Sequence, residues 1–139
     1  MLSKIAVAAT IAVSLAFAGT AFAGKPAPAP SSSIAGPYLA GQSSPPGAAA
    51  IVPQFGQTIT FDVSTTATSN PFVNLNCYQN GVLVANGWSA FFPGGSNQNF
   101  GLYSPVWQSG AANCTADLGM LTSQGKWKVL ASNSFQVNA

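Results

Sequence analysis

The chain has 139 residues, 47% of them hydrophobic and only 4% charged, with four basic and two acidic side chains, no histidine and a formal net charge of +2. That length suits one domain rather than two. The missing imidazole excludes Ser-His dyads and His metal ligands. The few lysines, without a single arginine, exclude the clustered cations on which nucleic-acid binding rests.

The chain opens with an address rather than a fold. Lys4 precedes an apolar run from Ile5 to Phe17, and Ala21-Phe22-Ala23 places small residues at the −3 and −1 positions of a cut before Gly24. This is the layout of a secretory signal peptide over residues 1–23, cleaved between Ala23 and Gly24. It predicts a secreted, extracellular product with no stable membrane insertion after cleavage. An uncleaved anchor is the alternative, since residues 5–23 are nearly long enough to span a bilayer. Residues 24–33 form a Pro/Ala/Ser-rich linker, an extended spacer that includes Lys-Pro-Ala-Pro-Ala-Pro. Residues 34–139 are then the folded domain.

Residues 34–39 begin an edge strand, interrupted by Gly36-Pro37. Residues 41–47 are a loop, and 48–52 pair briefly before Pro53. From Gln57 the alternation sharpens: Ile59, Phe61 and Val63 share one face, Thr58, Thr60, Asp62 and Ser64 the other, as in a half-buried strand. Residues 65–70 turn the chain into a hairpin centred on Asn80-Gly81, a dipeptide that accepts positive φ at both positions of a type I′ turn. In that hairpin Gln79 faces Val82, Tyr78 faces Leu83 and Cys77 faces Val84. Val73, Leu75, Cys77, Val82 and Val84 then make a core face, with Asn74, Asn76, Tyr78 and Leu83 on a mostly wet one.

Residues 87–96 read as irregular, carrying Trp88, Phe91, Phe92 and Pro93-Gly94-Gly95. Residues 97–103 read as a strand and 104–110 as a loop holding Trp107. Between 111 and 120, Ala112, Cys114, Ala116 and Leu118 point inward, with Asn113, Thr115 and Asp117 outward. A turn at 123–125 leads to a last strand over 127–137, with Trp127, Val129, Phe135 and Val137 in phase and a bend or bulge near Asn133. Short strands with regular turn signals and no helical period beyond the leader describe an all-β sandwich or barrel.

Two cysteines in an exported chain are most simply one disulfide, Cys77 to Cys114, the alternatives being free or intermolecular thiols. Three segments carry a family resemblance: Gln57-Thr58-Ile59-Thr60-Phe61-Asp62-Val63, then Val73-Asn74-Leu75-Asn76-Cys77-Tyr78-Gln79-Asn80-Gly81, and Ala112-Asn113-Cys114-Thr115-Ala116-Asp117-Leu118. Together they resemble the small immunoglobulin-like domains in secreted proteins of bacteria and their phages. The resemblance covers residues 56–137 and identifies fold better than function. It implies that 58–64 is strand B, 72–79 strand C, 82–85 strand C′, 111–120 strand F and 127–137 strand G. Antibody domains join strands B and F by the disulfide and pack a Trp of strand C on it. Here the first Cys lies on C beside F, which implies an immunoglobulin-like antiparallel β-sandwich with a cross-strand disulfide inside one sheet.

The residues offer no catalytic, cofactor or metal constellation. Asp62 and Asp117 are the only side-chain carboxylates, and the strand assignment puts them in different sheets, which disfavours a paired-carboxylate hydrolase. Ser123-Gln124-Gly125-Lys126 matches Ser-x-x-Lys by chance on a turn. Asn113-Cys114-Thr115 matches the N-glycosylation sequon but straddles the disulfide. The remaining candidates for binding are Tyr78, Trp88 and Trp107 with Asn74 and Asn76, because rings and amides together can stack on sugars or anchor a partner protein. The expected function is a secreted, non-catalytic binding or adhesion module whose partner is a cell-surface protein or a glycan. The alternative is a carbohydrate-binding module using the loop aromatics.

Overall fold

The computed structural model describes residues 26–42, 47–95 and 97–139. The expected leader and its cleavage point lie outside them. Among the described residues seven strands follow in chain order: β1 (Ser32–Leu39), β2 (Thr58–Thr65), β3 (Phe72–Gln79), β4 (Val82–Ala90), β5 (Phe100–Gly101), β6 (Ala112–Leu121) and β7 (Trp127–Val137). They form two antiparallel sheets, one in the order β1-β2-β5 and one in the order β4-β3-β6-β7. The segment before β2 also reaches the end of the chain, where Gln54 makes an isolated parallel bridge to Asn138.

The alternating residues of each strand meet in one core. Ile59 and Phe61 of β2 face Val73, Leu75 and Cys77 of β3, Ala112, Cys114, Ala116 and Leu118 of β6, and Val137 of β7, all buried. Burying each such large aliphatic chain contributes about 1.5–3 kcal/mol. Phe61 ties the layers together, its ring 5.9 Å from Phe100 in its own sheet and 5.9 Å from Phe135 in the facing one.

Cys77 and Cys114 are directly opposed in the β3–β6 ladder and joined by a disulfide, with Cα atoms 4.1 Å apart. The bridge therefore runs within one sheet, between neighbouring strands, as expected. Both cysteines are buried. No helix among the described residues is long and apolar enough to cross a membrane.

The β3–β4 hairpin has positive φ at both Asn80 (47°) and Gly81 (80°), the signature of a type I′ turn. Gln79 pairs with Val82 and Tyr78 with Leu83, but the register then slips, and Cys77 faces Ala85 rather than Val84. The extra residue lets Val84 and Ala85 both turn into the core. Val82, expected inside, is 64% exposed at the hairpin tip, beside the Asn80-Gly81 turn.

A second bulge changes the face of β7. Leu118 pairs with Ala131 but Gly119 pairs with Val129, so Leu130 is the inserted residue. The irregularity falls there and not near Asn133. One inserted residue reverses the alternation. Phe135 and Val137 stay on the core side, whereas Trp127 and Val129, expected in the same phase, turn to the outer face. Asn133 remains on the inward side because its side-chain amide donates to Gly36 O at 2.8 Å, satisfying a carbonyl at the irregularity of β1.

Other boundaries also move. β1 opens at Ser32, inside the stretch read as linker, and residues 48–52 form no strand. β4 continues to Ala90 through a segment read as irregular, and the expected strand over 97–103 shrinks to Phe100–Gly101. Gly87 explains the first of these. A Cβ there would lie 2.7 Å from Phe100 Cδ1, so its bare backbone is the seat of that ring rather than a strand breaker.

Candidate functional site

The outer face of the four-stranded sheet carries successive rows of side chains set by the ladder. One row runs Trp88, Asn74, Asp117, Ser132 across β4, β3, β6 and β7. The next runs Asn86, Asn76, Thr115, Ser134, and the one after it Leu83, Tyr78, Asn113, Gln136. On the other side of the first row stand Phe72 and Gly119, with Trp127 beyond them.

The aromatic end is a packed cluster. Trp88 lies 5.2 Å from Phe72 and 4.6 Å from Trp127 between ring centroids, and Phe72 lies 5.7 Å from Phe92. Gly119 makes room for this arrangement, because a Cβ there would come within 2.6 Å of Trp127 Cη2. Trp88 nevertheless remains 49% exposed, and Tyr78 at the other end of the face is 42% exposed. Leaving half of an indole in water forgoes about 2–3 kcal/mol of burial.

The polar rows between the rings divide into engaged and open groups. On β6 and β7, Ser132 donates to Asp117 Oδ1 at 2.5 Å and the hydroxyls of Thr115 and Ser134 lie 3.2 Å apart. On β3, no hydrogen bond among the described residues engages the side-chain amides of Asn74 or Asn76. Both residues are half-buried and keep donor and acceptor together on the face.

The remaining sequence candidates fall elsewhere. Trp107 is wholly buried: its ring lies 5.3 Å from Phe55 and its Nε1 donates to Gly110 O at 3.1 Å. It plugs one end of the core and presents nothing to a ligand. Trp88 belongs to β4 and not to a loop, whereas Tyr103, just after β5, is exposed. Phe91 also turns inward, stacked on Phe100 at 6.2 Å. Asp62 on β2 and Asp117 on β6 stand in different sheets and point outward, away from any common cleft.

Ser123 and Lys126 lie at the exposed β6–β7 turn, and Cys114 of the sequon is in the disulfide. No group of three or more His, Cys, Asp or Glu side chains that would hold a metal occurs among the described residues. An open recess of about 680 Å³ lies between β2 and residues 91–95 and 97–98, with Asp62 the only charged group among the described residues that line it.

Trp127 and Phe72 are the site residues that sequence reasoning passed over. The signal for Trp127 is the unbroken run Val129-Leu130-Ala131, which no strict two-residue alternation accommodates and which marks the bulge. Phe72 gave none, since a ring at the first position of a strand fits either face.

No protein-family model, curated protein or solved structure matches the chain. What defines it is an all-β architecture of two antiparallel sheets, with a buried disulfide within the larger sheet and an outer face that combines exposed rings with open amides.

Proposed function

We propose that the chain is a secreted, non-catalytic immunoglobulin-like module for binding or adhesion, and that it works through the outer face of the four-stranded sheet. The strand order supports the immunoglobulin-like reading. The order β4-β3-β6-β7 follows C′-C-F-G, and β2, the counterpart of strand B, lies in the opposing sheet. The leader-like opening and the buried disulfide both suit an oxidising, extracytoplasmic compartment.

The observation that carries the binding role is Trp88, half in water beside the amides of Asn74 and Asn76, which no hydrogen bond engages among the described residues. Large half-exposed rings with neighbouring polar groups are what interaction surfaces enrich. The partner is a molecule of the cell surface, protein or glycan.

The test is retention on a surface. The full chain, recovered after export and fluorescently labelled, is incubated with intact cells and extracellular material of the producing culture. Retention of the native protein is expected, with a loss of about tenfold or more in a Trp88→Ala/Tyr78→Ala double variant. Asp62→Ala, on the opposite sheet, is expected to leave it unchanged. Equal retention of all three proteins, or none of the native chain, overturns the reading.

A further inference from the structure

We infer that the ligand of this face is a neutral polysaccharide, lying along the strands from Trp88 to Tyr78. The inference rests on the binding-module reading and narrows it to one class of partner. Three features of the face select that class.

The first is the placement of the rings. Tyr78 and Asn74 are four residues apart on β3, and Trp88 pairs with Asn74. The two exposed rings are therefore separated by roughly 14 Å along the strand direction. That spacing fits a short run of linked sugar rings better than one small molecule. The electron-rich face of an aromatic ring attracts the polarised C–H bonds on the flat side of a pyranose, so each ring is a stacking platform.

The second is what lies between the rings. Asn74 and Asn76 fill the interval, their amides unengaged among the described residues. Each amide offers donors and an acceptor, which matches hydroxyls that both give and take hydrogen bonds. A protein partner selects the reverse arrangement, an apolar centre inside a polar rim. Here the centre is polar and the aromatic groups stand at its two ends.

The third is charge. In the rows from Trp88 to Tyr78 the only formal charge is Asp117, and Ser132 already donates to it at 2.5 Å. No cation faces outward there to attract uronate, sulfate or phosphate groups, so the face suits uncharged sugars.

The experiment is affinity electrophoresis of the full chain in native gels containing hydroxyethyl cellulose, laminarin, mannan, galactomannan, arabinoxylan or dextran, with alginate as an anionic control. Calorimetry with oligosaccharides of any retarding polymer follows. Retardation by at least one neutral polymer is expected, and none by alginate. Trp88→Ala is expected to weaken binding about tenfold or more, with Tyr78→Ala and Asn74→Ala each weakening it about threefold or more.

Trp88→Phe, which keeps a ring within the cluster, is expected to fall between native and Trp88→Ala. It supplies the answer if the alanine variant does not fold. Lack of retardation by every neutral polymer, binding to alginate alone, or unchanged affinity in a folded Trp88→Ala or Asn74→Ala variant overturns the inference. Capture of a surface protein that is lost in Trp88→Ala, without retardation by any polysaccharide, overturns it while leaving the binding-module reading intact.

Discussion

The six-membered ring of Trp127 sits directly against Gly119, and the pair fixes the aromatic end of the outer face. A Cβ on Gly119 would stand 2.6 Å from Trp127 Cη2 and 2.5 Å from Lys128 O. The ring has a way out toward solvent, but the backbone oxygen does not. Gly119→Ala should therefore destabilise the fold by about 1–3 kcal/mol, the usual cost of overpacking. It should also lift Trp127 away from Trp88 and red-shift tryptophan emission. A thermal melt and an emission spectrum check both, and an unchanged melt would show that the sheet gives way more easily than this geometry allows.

The contrast between Val82 and Val84 tests which side chains of the hairpin the core takes in. Val84 is buried and Val82 is 64% exposed, although simple alternation makes them equivalent. Val84→Ala is expected to cost about 1.5–3 kcal/mol through lost burial and a residual cavity. Val82→Ala should stay within about 0.5 kcal/mol of the native protein, as surface substitutions do. Chemical denaturation of both variants decides it, since strict alternation, which places both valines in the core, predicts comparable losses.

Trp107 should behave as core and not as site. Trp107→Ala is expected to remove about 3–5 kcal/mol of stability, as emptying a buried aromatic position does. Trp107→Phe should recover part of the loss while still lacking the donor to Gly110 O. The discriminating measurement pairs a urea titration with the surface-retention assay: the folded fraction of Trp107→Phe should be retained like the native chain.

The disulfide spans a sequence separation of 37 residues. Chain-entropy arguments assign a loop of that size about 4 kcal/mol of stabilisation, a large share of the ~5–15 kcal/mol that holds a typical domain. A Cys77→Ala/Cys114→Ala variant should melt well below the native protein. Because both cysteines are buried, thiol reductant should act on the native protein far more slowly than on protein in denaturant. Mass spectrometry after timed alkylation follows this directly, and rapid labelling without denaturant would contradict the buried placement.

The sequence was most legible where alternation ran unbroken. Ile59 and Phe61, the Val73-Leu75-Cys77 series and the Ala112 to Leu118 series all face the core as their spacing requires. Legibility failed wherever one residue was inserted. The bulge at Leu130 reverses the phase, which misplaced Val129 and hid Trp127 on the wrong face, and the one beside Val84 shifts every pair of β4 beyond Leu83. Glycine misled for a different reason. Gly87 resembles a break in local chemistry, but its missing side chain is filled by Phe100 from a distant part of the chain.

The candidate site followed the same pattern. Asn74, Asn76 and Tyr78 were placed correctly because they share the unbroken strand of Leu75 and Cys77. Trp88 and Trp107 could not be ranked, because only tertiary contacts decide which ring plugs the core and which meets water.

The disulfide laces neighbouring strands of one layer and puts no sulfur bridge between the two layers, which meet through packing and a few hydrogen bonds such as that from the Asn133 amide to Gly36 O. Tension applied through the two ends of the chain would pass across the sulfur bridge, bypassing β4, β5 and the segments that connect them. Roughly 120–130 Å of contour stays out of the load path in this way. Even with its layers pulled apart, the molecule would keep Trp88 tethered within a covalent ring, able to reseat once the force is released.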